Sequence, residues 1–76
     1  QNLKKKSSIF YYNQQLIFSK GAKQIAIINS AGMHILNRAI HSDATFLDCG
    51  FLPQGLYYYL VNDQNSELQR GKFMVP

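Results

Sequence analysis

Short apolar runs, separated by turn-forming residues at spacings of roughly ten, constrain the fold of this chain more than any other feature. No stretch carries the period of about 3.6 residues that marks an amphipathic helix. The 76 residues hold a single core, because a chain this short buries only about 60% of the surface that its unfolded form exposes. The sequence therefore predicts one all-β domain, either a sandwich or a barrel.

Turn residues divide the chain into seven candidate strands. Gly32 lies in the clearest turn, because glycine adopts the positive φ that tight hairpins need. In the strand after it, the alternation leaves two inward pairs open, Ile35 with Ala39 or Leu36 with Ile40. The sixth run is apolar on both faces and is expected to be a central strand. The expected strands are residues 9–12, 16–19, 23–29, 34–40, 44–49, 56–62 and 67–75.

The net charge of +4 is concentrated at the start of the chain. Residues 4–6 are three consecutive lysines, whereas residues 7–76 hold five basic and four acidic side chains. A nearly neutral body does not favour a phosphate-binding face, so we expect no nucleic-acid partner. Residues 1–8 are expected to form a flexible basic linker, and the domain is expected to occupy residues 9–76.

Residue types suited to catalysis or metal binding do not occur at workable spacings. His41 and Asp43 are too close in sequence to converge as a base and its orienting partner, and His34 lacks the second ligand pair that zinc requires. The isolated glycines form no phosphate-binding loop. Cys49 is the single cysteine, which excludes an intramolecular disulfide, and it is expected to be a small buried hydrophobe. We therefore expect a non-enzymatic binding or signalling module without cofactor or metal.

Tyrosines near basic residues allow two other interpretations. Strand alternation sends about half of the tyrosines to the core. An exposed Tyr12 or Tyr58 would suit an immunoglobulin-like adhesive or carbohydrate-binding module. A weaker interpretation is a single-strand nucleic-acid binder that uses the lysines of residues 4–6.

Several short motifs follow one another in a fixed order along the chain. In this order they resemble the C-terminal sorting domain, type A, of the type IX secretion system of Bacteroidota, over about residues 9–75. The chain departs from the family pattern in lacking an opening Pro-Asn-Pro, in carrying Asn29 where aspartate is common, and in carrying Met33 and Pro76 where basic residues are usual. The matching residues are Ile25, Ile27, Asn29 and Gly32, then Ile35, then Leu47 and Asp48, then Leu52, Pro53, Gly55, Leu56 and Tyr57, and finally Lys72, Phe73 and Val75.

The resemblance implies a seven-stranded immunoglobulin-like antiparallel β-sandwich that acts as an export signal. Such a domain crosses the inner membrane with its cargo, meets periplasmic components of the machinery, and passes the outer-membrane translocon with a shuttle protein. A cell-surface sortase then cuts in the linker, here in or before residues 1–8, and can join the cargo to anionic lipopolysaccharide. Other members keep the domain as a surface anchor. The implied location is the periplasm in transit, then the outer membrane, the cell surface or the medium.

The resemblance also implies where the machinery binds. We expect the last strand and its partner to present a sheet edge or end to the translocon. The stop at Pro76 is expected to leave the last strand and the carboxyl terminus accessible. The implied translocon-recognition residues are Gly32, Leu52, Pro53, Gly55, Tyr57, Gly71, Lys72, Phe73 and Val75.

Overall fold

The computed structural model describes residues 9–65 and 67–76. This part of the chain contains seven strands and no helix, and so none that is long and apolar enough to cross a membrane. The predicted linker, residues 1–8, lies outside the described residues. The strands are β1 (Phe10–Tyr12), β2 (Gln15–Ile17), β3 (Ala22–Asn29), β4 (His34–Ala39), β5 (Phe46–Asp48), β6 (Gly55–Asp63) and β7 (Leu68–Val75).

The strands form two antiparallel sheets that pack as a small β-sandwich. One sheet has the strand order β1-β2-β5 and the other the order β4-β3-β6-β7, and every pairing is antiparallel. The prediction of an all-β antiparallel sandwich of seven short strands is therefore confirmed. The fourth strand lies beside β3 in the larger sheet, whereas a constant-type immunoglobulin domain places it with the first, second and fifth strands.

Alternation along the two central strands of the larger sheet creates the core. β3 buries Ile25 and Ile27 completely, and β6 buries Tyr57, Tyr59 and Val61 from every second position. β6 lies between β3 and β7, as predicted from its two apolar faces. The smaller sheet and its flanking loops close the core with Leu16, Phe18, Leu47, Cys49 and Leu52.

The structure decides the open choice in the fourth strand. Leu36 and Ile40 pack against the core, while Ile35 is 40% exposed. A register shift between Ile27 and Ile28 accommodates one extra residue of β4, since Ile27 pairs with Leu36 and Ile28 pairs with His34. The sequence pattern alone was ambiguous because apolar residues occur on both faces of this strand. The pairing of Leu36 with the buried Ile27 decides between the two faces.

The first hairpin is tighter than predicted. A turn over residues 13–15 was expected, but Gln15 already belongs to β2 and pairs with Tyr12. The turn is made by Asn13 and Gln14, with φ angles of 52° and 65°. Two consecutive positive φ angles define the two-residue hairpin turn whose twist matches the strands. Asparagine tolerates that conformation well, whereas Gln14 gives no such indication in the sequence.

Cys49 is buried, as predicted, with 1% of its surface exposed. Its Sγ–H group donates to the Leu47 carbonyl oxygen at 3.6 Å. Burial raises the pKa of the Cys49 thiol, because the thiolate loses its hydration inside the core. The thiol is therefore held in its neutral form and serves as a packing group.

Gly71 is required by the close packing of Tyr59. The two residues are directly opposite each other on β7 and β6, and a Cβ atom at position 71 would overlap the hydroxyl and ring of Tyr59. Tyr59 is itself only 4% exposed, so its ring has little room to move.

Replacing Gly71 with alanine is expected to lower the free energy of unfolding by about 1–3 kcal/mol, because the added methyl group overpacks the site. The matched control is Lys72→Ala at the next, exposed position, which should change stability by less than about 0.5 kcal/mol. Urea denaturation followed by tyrosine fluorescence measures both variants. Unchanged stability of Gly71→Ala would contradict the close fit of Tyr59 against the β7 backbone.

Candidate interaction site

Residues from separate sequence motifs converge at one end of the sandwich. In the larger sheet, Asn29 pairs with Tyr57 and Tyr57 pairs with Phe73. The turn between β3 and β4 therefore lies at the same end as the start of β6 and the finish of β7. In the smaller sheet, the Cys49 amide donates to the Gln14 carbonyl at 2.8 Å, which brings two more loops to this end. We call this region, residues 13–14, 29–33, 49–55 and 73–76, the motif end.

Asn29 organises the turn that contains Gly32. Its Oδ1 atom accepts hydrogen bonds from the amides of Ala31 at 3.0 Å and Met33 at 2.9 Å. Gly32 has a φ of 88° and donates its amide to the Asn29 carbonyl at 2.9 Å, so the predicted positive φ is confirmed. This turn needs a side-chain oxygen acceptor, which asparagine supplies as well as aspartate would.

A tyrosine hydroxyl fixes the loop that leads into β6. The Tyr57 hydroxyl donates to the Pro53 carbonyl oxygen at 2.7 Å, and Leu52 inserts into the core with 6% exposure. Gly55 has a φ of 151°, which other residue types rarely adopt. The Leu52 amide also donates to the Cys49 carbonyl oxygen at 3.1 Å. Two buried side chains, Leu52 and Tyr57, and these hydrogen bonds hold the segment in place.

Three stacked rings join this loop to the last strand and to the opposite sheet. The rings of Tyr57 and Phe73 have centroids 5.7 Å apart, and the ring of Tyr11 stacks on the other side at 5.2 Å from Phe73. Such aromatic pairs add about 0.5–1.5 kcal/mol each beyond the area that they bury. The stack couples β1, β6 and β7, although these strands lie far apart in the sequence.

The nine residues implied for recognition differ in exposure and fall into three groups. Four are buried and shape the motif end from within, whereas Gly32, Pro53 and Lys72 are exposed and Gly55 and Gly71 are half-buried. Only the exposed group can contact another protein while the domain is folded. The buried members are Leu52, Tyr57, Phe73 and Val75.

Sequence reasoning missed three exposed apolar side chains at the motif end as contact residues. Met33, Phe51 and Met74 are 61%, 55% and 59% exposed. Phe51 was recognisable as a large apolar residue inside a turn, and Met74 as an apolar residue out of phase with the buried Phe73. Exposed apolar groups gathered at one end of a small domain are typical of an interaction surface.

The outer face of β6 and β7 carries a shallow depression of about 350 Å³. Tyr58 is directly opposite Lys72 and Leu60 is directly opposite Arg70, and these four side chains border the depression. Neither cation forms an ion pair with a carboxylate of the described residues. The depression itself is apolar. The positive charges of Arg70 and Lys72 lie along its β7 side.

β7 is also a sheet edge. It hydrogen-bonds to β6 on one side, and among the described residues no strand pairs with its other side. The Asp63 amide donates to the Glu67 carbonyl at 3.1 Å, and the pairing continues from there without a register shift. Hydrogen-bonded pairs alternate along an antiparallel ladder. The amides and carbonyls of Leu68, Arg70, Lys72 and Met74 therefore point to the open side.

The opposite end of the sandwich holds a polar cavity of about 400 Å³. The Gln69 Oε1 atom is buried there and has no hydrogen-bond partner among the residues that the structure describes. Asp63 at its rim is already engaged, because one carboxylate oxygen accepts the amides of Asn65 and Glu67, each at 2.9 Å. Within residues 9–65 and 67–76, no three histidine, cysteine or acidic side chains come together as metal ligands.

The chain matched none of the protein-family models, curated proteins or solved structures with which it was compared. Its function therefore has to be inferred from its own residues and geometry.

Removing the Tyr57 hydroxyl is expected to loosen the motif end without disturbing the aromatic stack. Tyr57→Phe should lower the free energy of unfolding by about 0.5–1.5 kcal/mol, because the Pro53 carbonyl loses its partner. The control, Tyr58→Phe, alters a tyrosine that is 41% exposed and should leave stability unchanged. Thermal unfolding monitored by circular dichroism measures both. Equal melting temperatures for the two variants would show that the hydrogen bond does not hold the loop.

Proposed function

We propose that this domain is a non-catalytic export signal, which directs its cargo protein through the type IX secretion system and across the outer membrane to the cell surface. Two lines of support combine. The order of motifs along the chain resembles that of type A sorting domains, and the same motifs come together at the motif end. An export signal has to bind the secretion machinery, and such binding requires the recognised residues to lie together on one surface.

The observation that carries the proposal is the mutual dependence of the two matching segments near the carboxyl end. Tyr57 hydrogen-bonds to Pro53 and stacks on Phe73, while Tyr59 occupies the space that Gly71 leaves free. Each segment therefore holds the other in place. This coupling gives a physical reason why both motifs would be required together.

The exposed residues supply the contacts in this proposal. Pro53, Lys72 and the Gly32 turn are accessible at or beside the motif end, together with the apolar side chains of Phe51 and Met74. Periplasmic components, the translocon and the shuttle protein would bind this surface. A surface sortase would cut in or before residues 1–8, with possible linkage of the cargo to anionic lipopolysaccharide, or the domain would stay attached as an anchor.

Export of a reporter fused ahead of residues 1–76 tests the proposal in a host that has this secretion system. Deleting the last residues would be a poor test, because Phe73 and Val75 belong to the core. Substitutions of exposed residues avoid that difficulty. We expect the unaltered fusion to reach the surface or medium, and Lys72→Ala with Met74→Ser to accumulate in the periplasm.

The matched control changes the same residue classes away from the motif end. Lys20 is exposed and Phe46, on β5, is 51% exposed, so Lys20→Ala with Phe46→Ser should be exported normally. A fusion that is not exported at all contradicts the proposal. Normal export of the Lys72→Ala, Met74→Ser fusion would show that these two exposed residues of β7 are not recognised.

A carbohydrate-binding module is the second candidate, because Tyr58 and Tyr12 are 41% and 67% exposed. Tyr58 also borders the apolar depression beside Arg70 and Lys72. Tyrosine faces stack well on sugars and other planar or apolar ring surfaces. Glycan affinity that is lost in Tyr58→Ala, in a chain that fails to export its cargo, would favour this second function.

A further inference from the structure

We propose that the open edge of β7 binds an extended acidic segment of another protein as an additional antiparallel or parallel strand. This inference deepens the proposed export function by naming the chemistry of the partner. It starts from the free backbone groups of Leu68, Arg70, Lys72 and Met74, which the register directs away from β6. An added strand would pair with these groups.

The side chains of the same four residues define what the partner strand must carry. They alternate with the buried residues of β7 and lie on the outer face, in the order apolar, positive, positive, apolar. Side chains on neighbouring strands that face the same way lie about 4.5–5.5 Å apart, close enough for opposite charges to attract. The complementary partner therefore has carboxylates at two positions separated by one residue, with apolar side chains two positions further out on each side.

The charges on β7 argue against the two other available occupants. A second copy of the chain pairing through β7 would place the Arg70 and Lys72 column against an identical column, and like charges on neighbouring strands repel. Residues 4–6 of the same chain are lysines, so they too would be repelled. Positive residues on an edge strand commonly prevent self-pairing, and here they also select an acidic partner.

The open edge is continuous with the motif end, since Met74 belongs to both. A strand bound along β7 would therefore end beside the exposed side chain of Met74. The backbone of β7 would bind the partner's backbone through hydrogen bonds, and Arg70 and Lys72 would bind the carboxylates on the partner's outer face. This arrangement gives affinity that depends on salt, because the two cations are exposed.

A designed heptapeptide, Val-Thr-Glu-Thr-Glu-Thr-Val, provides a direct probe for the full 76-residue chain. Its pattern is the same in both directions, so it fits β7 in either orientation. Two control peptides test the pattern: one carries lysines in place of both glutamates, and the other, Val-Thr-Glu-Glu-Thr-Thr-Val, places its glutamates on opposite faces. Amide chemical shifts followed by NMR during titration report where each peptide binds.

We expect the acidic peptide to shift the amides of Arg70, Lys72 and Met74 most strongly, and to bind at least about tenfold more tightly than either control. Charge reversal, Arg70→Glu with Lys72→Glu, should weaken the acidic peptide by about tenfold and make the lysine peptide the tighter ligand. The control Lys23→Glu changes an exposed charge on β3 and should alter neither preference.

Four outcomes would overturn the inference, three of them in the peptide titrations. These three are equal affinity of the acidic and rearranged peptides, shifts confined to Tyr58 and Leu60 in the depression, and peptide binding that requires prior removal of residues 1–8. Self-association through β7 would also overturn it. Peptide binding without export of the cargo would leave this edge site standing and refute the export proposal, whereas export without peptide binding would refute the edge site alone.

Discussion

β6 pairs with a strand on each side, and this pairing determines the register of the larger sheet and the composition of the core. This strand hydrogen-bonds to β3 over seven register pairs and to β7 over eight, and its inward residues Tyr57, Tyr59 and Val61 fill the core between the sheets. Because one strand sets the register of both neighbours, a shift of one residue would expose its whole buried face. Tyr57 also hydrogen-bonds to Pro53 and stacks on Phe73. The same strand therefore positions the loop and the end of β7 at the motif end.

Much of this fold follows from local sequence patterns, because alternation and turn chemistry act over a few residues. The central position of β6, the burial of Cys49 and the positive φ of Gly32 were all predictable in this way. The tight turn at Asn13 and Gln14 was not, since Gln14 is an unusual residue for a positive φ. The inward position of Leu36 was also undetermined, because it depends on the pairing of Leu36 with the buried Ile27 of β3. Such features are decided by tertiary contacts and not by propensity.

The candidate site, like the fold, could be predicted only in part from the sequence. Six of the nine residues implied by the resemblance lie at the motif end, yet four of the nine are buried. These four support the surface from within and are not part of it. The exposed contact groups, such as Phe51, Met74 and Arg70, do not belong to the motifs. They become visible only when the register assigns each side chain to a face and each backbone group to a side of its strand. In the proposed function, recognition would use the motif end and the β7 edge, which carry exposed apolar side chains, unpaired backbone groups and two cations.

Amide hydrogen exchange of the free chain, resolved residue by residue by NMR, directly tests whether β7 is an open edge strand paired with β6. If β7 is an open edge in register with β6, the amides of Arg70, Lys72 and Met74 should exchange rapidly, while those of Gly71 and Phe73 should be protected by their bonds to β6. Alternating fast and slow amide exchange along β7 is therefore expected for an open edge strand. Uniform protection along β7 would show that its outer side is already occupied, and uniform rapid exchange would show that the β6–β7 ladder does not hold the motif end together.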